Sequence, residues 1–151
     1  AQTSNNELFA NNVIKDYISA ETLFIRQENN AELAPCKVFA VERIKPLVTK
    51  SRENLRELKI RNVTVKHANG FDGWEEDRKF DGIICAAAPR QYPEELVELL
   101  EVGGKLVIPA GNEGQQKLFV ITKKSETENE ETIHEEVAFV PMLPGISNGE
   151  I

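Results

Sequence analysis

A chain of 151 residues with 40% hydrophobic and 28% charged residues is that of an ordinary folded domain with a real core, not a disordered one. Its net charge of −7 argues against a nucleic-acid partner, because phosphate binding needs a basic face. No apolar run approaches the length of a membrane span and no signal peptide is read in it, so a cytoplasmic protein working away from membranes is expected.

Residues 1–7 are polar and are expected to fray. From Leu8 to Ile25 the apolar spacing is helical, and Asn11, Asn12 and Ser19 interrupt it, which predicts two short helices. Arg26 to Asn30 is a polar break, and Ala31 to Ala34 reads as a last helical turn ended by Pro35. Val38 to Val41 is a buried strand closed by Glu42 and Arg43. A helix is predicted from about Lys45 to Leu58, with Leu47, Val48, Leu55 and Leu58 inward. Asn62 to Lys66 is a further strand, His67 to Gly70 its turn, and 71–79 a loop carrying the one tryptophan, Trp74.

The stretch from Lys79 to Gly111 reads as strand, loop, helix, Gly-Gly turn and strand. Asp81 to Cys85 is short and apolar, and Ala86 to Pro89 offers side chains too small to block a ligand. Pro93 fits a first helical turn, and Leu96, Val97, Leu99 and Leu100 face the core. Gly103 and Gly104 stop the helix before the strand Leu106 to Ile108. This is a βαβ unit, and such units build parallel sheets. Lys117 to Thr122 and Ile133 to Val140 then read as antiparallel strands joined by the acidic, solvated loop Ser125 to Glu131, and Phe139 to Gly145 closes the sheet. The predicted fold class is α/β, a doubly wound, mostly parallel sheet with an antiparallel C-terminal edge, in one domain spanning 1–151.

In open α/β sheets ligands bind beyond the carboxyl ends of the strands. Glu42 stands at such an end, where its two oxygens could take two ribose hydroxyls or could cap the following helix. Asn69 and Gly70 would reach the same crevice, against an adenine edge or as a plain turn. Trp74 and Phe71 could flank a ligand or pack. His67 and His134 have no metal-ligand spacing, so no metal is expected. Cys36 and Cys85 read as buried, unbridged thiols of a reducing cytosol, with no base beside either to activate it. No catalytic residue is singled out.

VFAVERI (38–44), NGFDGW (69–74), FDGIICAAAP (80–89), LLEVGGKLVIPAG (99–111) and FVPMLPG (139–145) together resemble the protein-L-isoaspartate O-methyltransferases. The resemblance covers residues 37–146 and leaves 1–36 atypical. It implies a class I S-adenosylmethionine-dependent methyltransferase fold, and methyl transfer to the carboxylate of isoaspartyl residues in damaged peptides and proteins. The ester then collapses to a succinimide. It also implies that Glu42 takes the ribose with Arg43 beside it, that Asn69 and Gly70 address the adenine, and that Ala87 and Ala88 form the wall under the donor. The expected protein is a monomer.

Two family elements are missing or degenerate here. The glycine-rich loop of E-x-G-x-G type should stand just before Lys37, and the T-I-S-A-P-H segment should line the substrate pocket; Asn69 also replaces an aspartate. In one alignment Thr22 to Ile25 is the first strand, Arg26 to Asn30 a degenerate loop and Ile18 to Ala20 a remnant of the substrate segment. In the other, which is preferred, Asn5 to about Gln27 is helical and the intervening segment is missing. Deleting a central strand would orphan buried backbone groups at roughly 1–3 kcal/mol each, against a margin of roughly 5–15 kcal/mol. So either Leu23 to Ile25 fills that slot, or the natural protein is longer near residues 27–30; intact-mass spectrometry separates the two. The alternative function is that of an inactive family member or deletion product, acting as a binding or structural protein.

Overall fold

The protein is seen in a computed structural model that describes residues 22–27, 36–72, 74 and 79–149. Seven strands form one sheet: β1 (Thr22–Gln27), β2 (Cys36–Glu42), β3 (Val63–His67), β4 (Phe80–Cys85), β5 (Leu100–Ala110), β6 (Gln116–Lys123) and β7 (Asn129–Val137). Helix α1 (Lys45–Glu57) joins β2 to β3, and the short α2 (Glu94–Glu98) joins β4 to β5. The spatial order is β3-β2-β1-β4-β5-β6-β7. β2 pairs parallel with β3 and β4 with β5, while β6 and β7 add an antiparallel edge. This is the mixed sheet of a Rossmann-like fold.

The departure lies in the middle. β1 fills the central slot between β2 and β4 but pairs antiparallel with both, matching Thr22 to Val41 on one side and to Cys85 on the other. Strands β2, β3, β4 and β5 therefore still point one way, and β1 alone runs against them. The preferred expectation of a helix through Leu23, Phe24 and Ile25 is overturned. A short apolar run satisfies a helix and a strand buried on both faces equally well, and here tertiary pairing decides. Leu23 packs with Val38, Val48, Leu55 and Val65 on the α1 face. Phe24 points to the other face, where its ring lies 5.1 Å from Phe80 and 6.5 Å from Trp74. The slot whose emptiness would leave two rows of backbone groups unpaired is thus occupied. The expected helices within 8–21 and the helical turn at Ala31 to Ala34 lie outside the described residues.

The helix after β2 forms largely as read. Val48, Ser51 and Leu55 are buried, Leu47 is half-buried, and Leu58 lies past the last turn and is exposed. In α2, Leu96 and Val97 are buried while Glu94, Glu95 and Glu98 face water. The helix ends sooner than expected, and β5 starts at Leu100, before the glycine pair. Phe80 is paired with Leu100 and Gly82 with Lys105, so Glu101 to Gly104 form a bulge. Gly103 sits there at φ 90°, and a Cβ on Gly104 would stand 2.9–3.1 Å from the carbonyl oxygens of Glu101, Asp81 and Phe80. Three backbone atoms cannot step aside. Gly104→Ala is therefore expected to cost about 1–3 kcal/mol, read as a lower urea midpoint with unchanged slope.

The acidic loop tightens to a turn in which Glu128 accepts from the N–H groups of Lys124 and Ser125, so Asn129 to Glu131 belong to β7. Phe139 to Gly145, expected to close the sheet, is no strand and touches it through one isolated bridge, Ala88 to Pro141. Gln116 clasps Phe139 by two hydrogen bonds, and the chain then runs beside Ala88, whose N–H donates to Val140 and whose carbonyl accepts from Met142. Among the described residues no helix is long and apolar enough to cross a membrane.

Candidate functional site

Because β2 to β5 share a direction, their carboxyl ends emerge along one edge of the sheet. Glu42 ends β2 and is paired with His67, which ends β3. Asn69 and Gly70 follow His67 directly, with the Ala68 N–H held by the Glu42 carbonyl at 3.1 Å. Ala86 to Ala88 follow Cys85 two strands away, about 10 Å at ordinary strand spacing. The edge thus collects Glu42, Arg43, Asn69, Gly70, Ala87 and Ala88.

Each residue is held differently. Glu42 is 2% exposed, and its Oε1 accepts the N–H of Ile44, the residue that opens α1. The carboxylate thus holds the backbone just ahead of α1, whose N-cap is Ile44 and which no side chain caps. Asn69 uses Oδ1 to accept the Phe71 N–H at 3.1 Å, which turns the chain into a 3₁₀ turn at Gly70–Asp72. Its amide N–H groups and a second lone pair are what it can offer a ligand. Gly70, Ala87 and Ala88 are buried, and the backbone of Ala88 is pinned by Val140 and Met142. The Arg43 carbonyl accepts from Ser147, while its Nε is buried without a partner among the described residues.

Two clefts open on this edge. One of about 390 Å³ is lined by Lys66, His67, Asn69, Asp72, Gly145 and Ile146. The other, about 820 Å³, lies past β4 and β5 among Phe71, Ala88, Arg90, Asn112, Gln116 and Met142. Trp74 lines neither; it is buried against Phe39 at 5.0 Å, so packing is its use. Phe71 borders the larger cleft.

Arg26 and Gln27, which begin the polar run Arg26 to Asn30, lie at the opposite edge. Arg26 is paired with Lys37 and Gln27 with Cys36, at the amino end of β2, and the Arg26 guanidinium lies over the Phe39 ring. The reversed β1 instead brings Thr22 between Val41 and Cys85. The rest of the run expected as a degenerate loop, Glu28 to Asn30, lies outside the described residues, as does Ile18 to Ala20. No grouping of three or more His, Cys, Asp or Glu side chains able to hold a metal occurs among the described residues.

Neither cysteine is bridged. Cys36 and Cys85 lie opposite the two ends of β1, about 17 Å of strand rise apart, well beyond the roughly 7 Å a disulfide tolerates. Burial pushes the Cys36 thiol up, so it holds less thiolate than an exposed cysteine at the same pH. An aromatic-disulfide reagent is expected to titrate one thiol slowly in the native protein, faster as pH rises, and two in denaturant; two rapid equivalents without denaturant would contradict the burial of Cys85.

Sequence reasoning missed His67 and Ser147. His67 Nε2 lies 2.9 Å from the Arg43 carbonyl and 3.1 Å from that of Ser147. The signal available in the sequence was its place directly after the strand Asn62 to Lys66.

A model of the family "Protein-L-isoaspartate(D-aspartate) O-methyltransferase" matches residues 29–146. A protein-L-isoaspartate O-methyltransferase of Nitrosomonas eutropha is 49% identical over 112 residues, 74% of this chain and 50% of its own length. That of Cellvibrio japonicus is 47% identical over 116 residues, 76% of this chain and 51% of its own. A crystal structure from Plasmodium falciparum, described as a putative protein-L-isoaspartate O-methyltransferase in complex with S-adenosyl-L-homocysteine, aligns with TM-score 0.61 at 35% identity, covering 70% of this chain and 51% of that one. A second such structure, 22% identical with TM-score 0.64, covers 72% of this chain and 35% of that chain and shows likeness of fold. The chain spans about half the length of the curated relatives it matches.

Proposed function

Since this chain belongs to the protein-L-isoaspartate(D-aspartate) O-methyltransferase family, we propose that it takes part in methyl transfer from S-adenosylmethionine to the carboxylate of L-isoaspartyl residues in damaged proteins. The observation that carries the reading is the gathering of Glu42, Asn69, Gly70 and Ala88 at one sheet edge by strands of common direction. The donor set suits the nucleoside end of the cofactor. A strand-end carboxylate presents acceptors to a vicinal diol, an amide presents donors to a base edge, and the absent Cβ of Gly70 lets the base approach. The turn that would take the amino-acid end is not among the described residues.

When bound, S-adenosylmethionine supplies a methyl group on a positively charged sulfur. Glu42, with Arg43 beside it, orients the sugar, Asn69 and Gly70 hold the base, and the small side chains of Ala87 and Ala88 leave room along the wall. The larger cleft beside Ala88, with Arg90 on its rim, is where the acceptor segment lies in this reading. A carboxylate is ionised near neutral pH, so the acceptor needs alignment and no general base.

We take residues 37–146 as the family body within a single domain. The partners are isoaspartyl-containing peptides and proteins, with the chain a cytoplasmic monomer. A net charge of −7 supports the omission of nucleic acid and anionic membrane surfaces. The test is methyl incorporation into an isoaspartyl peptide against its aspartyl twin, in excess donor. Incorporation confined to the isoaspartyl peptide supports the reading, and equal labelling of both overturns it. One observation, the reversed direction of β1, favours a second reading, a family member that binds without catalysing. S-adenosylhomocysteine binding without transfer to either peptide would select it.

A further inference from the structure

We propose that His67 is a positioning residue that clips the segment 145–149 onto the Glu42–Arg43 turn and so fixes the nucleoside cleft; this rests on the methyl-donor reading above. Both oxygens near its Nε2 are carbonyls, which only accept, so this nitrogen carries the proton and donates to the pair of them. Those two carbonyls belong to Arg43 and Ser147, which are far apart in the chain.

The clip has further stitches. The Ser147 N–H donates to the Arg43 carbonyl at 2.7 Å, and the Lys45 N–H to the Ser147 carbonyl at 2.9 Å. Ile44 and Ser147 form an isolated parallel bridge. Each of the two carbonyls thus accepts twice, once from the backbone and once from His67. The segment is also bounded by glycines at positive φ, Gly145 at 79° and Gly149 at 90°. A Cβ on Gly149 would stand 2.6 Å from Cγ of Pro46, so that glycine lets the segment lie flat on the first turn of α1.

Position gives the clip its consequence. Gly145 and Ile146 line the smaller cleft together with Lys66, His67 and Asn69. Glu42 is one residue before the clipped carbonyl and holds Ile44, one residue after it. Releasing the segment removes one wall of the base cleft and loosens the turn that aims the carboxylate.

The experiment combines amide hydrogen exchange with calorimetric titration of S-adenosylhomocysteine, on the whole chain. In His67→Ala the Ser147 and Lys45 amides are expected to exchange about tenfold faster and affinity to fall about tenfold, the scale of one or two lost hydrogen bonds. His67→Gln, whose amide can donate to the same carbonyls, restores most of both. Gly149→Ala weakens both without touching His67, and serves if His67→Ala does not fold. Unchanged exchange in His67→Ala overturns the clip. Faster exchange with unchanged affinity overturns the positioning role and leaves a merely structural bond. Wild-type protein that takes up no S-adenosylhomocysteine defeats the nucleoside reading and the positioning role together, while exchange still decides whether the clip exists.

Discussion

Phe24→Ala is expected to lower stability by about 3–5 kcal/mol, the usual cost of truncating a buried phenylalanine. Phe24 is fully buried, with its ring against Phe80 and Trp74. It also sits on the central strand, so the cavity opens between two halves of the sheet rather than at its margin. Against a margin of roughly 5–15 kcal/mol such a loss leaves little, and the far-UV dichroism midpoint in urea should fall accordingly. Leu23→Ala, on the opposite face against Val48 and Leu55, is expected to lose about 2–5 kcal/mol. A helix docked on one side of the sheet would not be hurt equally by both. Losses below about 1 kcal/mol at either position would mean that this segment does not occupy the central slot.

Glu42→Gln is expected to weaken S-adenosylhomocysteine binding by about 10–100-fold, because hydrogen bonds to a charged acceptor contribute roughly 1.5–3 kcal/mol and each tenfold is about 1.4 kcal/mol. The substitution keeps an oxygen able to accept the Ile44 N–H, so the start of α1 survives and thermal stability should hold nearly constant. The hold on the Ile44 N–H and ribose binding are thereby separated on one side chain. If affinity holds while Glu42→Ala lowers the melting temperature, the carboxylate serves the helix alone.

The two βαβ units were legible because each carries its own punctuation. Glu42 and Arg43 close β2, Pro93 opens α2, and the buried faces Val48/Leu55 and Leu96/Val97 follow the helical period. That Glu42, Asn69 and Ala88 share one edge was legible for the same reason, since each follows a strand of a parallel set. What was not legible depended on partners remote in sequence. Leu23 and Phe24 have no periodicity of their own long enough to choose strand over helix, and their choice is made by Val38 to Val41 and Gly82 to Cys85. The direction of β1 is likewise a property of the slot. Ser147 finds Arg43, and Met142 finds Ala88, by backbone bonds that any residue could make, so no residue type announced them. Gly103 and Gly104 were read as a helix stop, yet they form a strand bulge, since the same positive φ suits either device.

The central claim is that the carboxyl ends of β2, β3 and β4 hold one nucleoside between them. Backbone amide shifts, followed by heteronuclear NMR during titration with S-adenosylhomocysteine, test it most directly. The account predicts saturable movement of Ile44, Ala68, Asn69, Gly70, Ala87 and Ala88, with Lys37, Asn62 and Phe80 at the opposite end of the sheet unmoved. Movement centred on that opposite end, or no movement at saturating ligand, would contradict it.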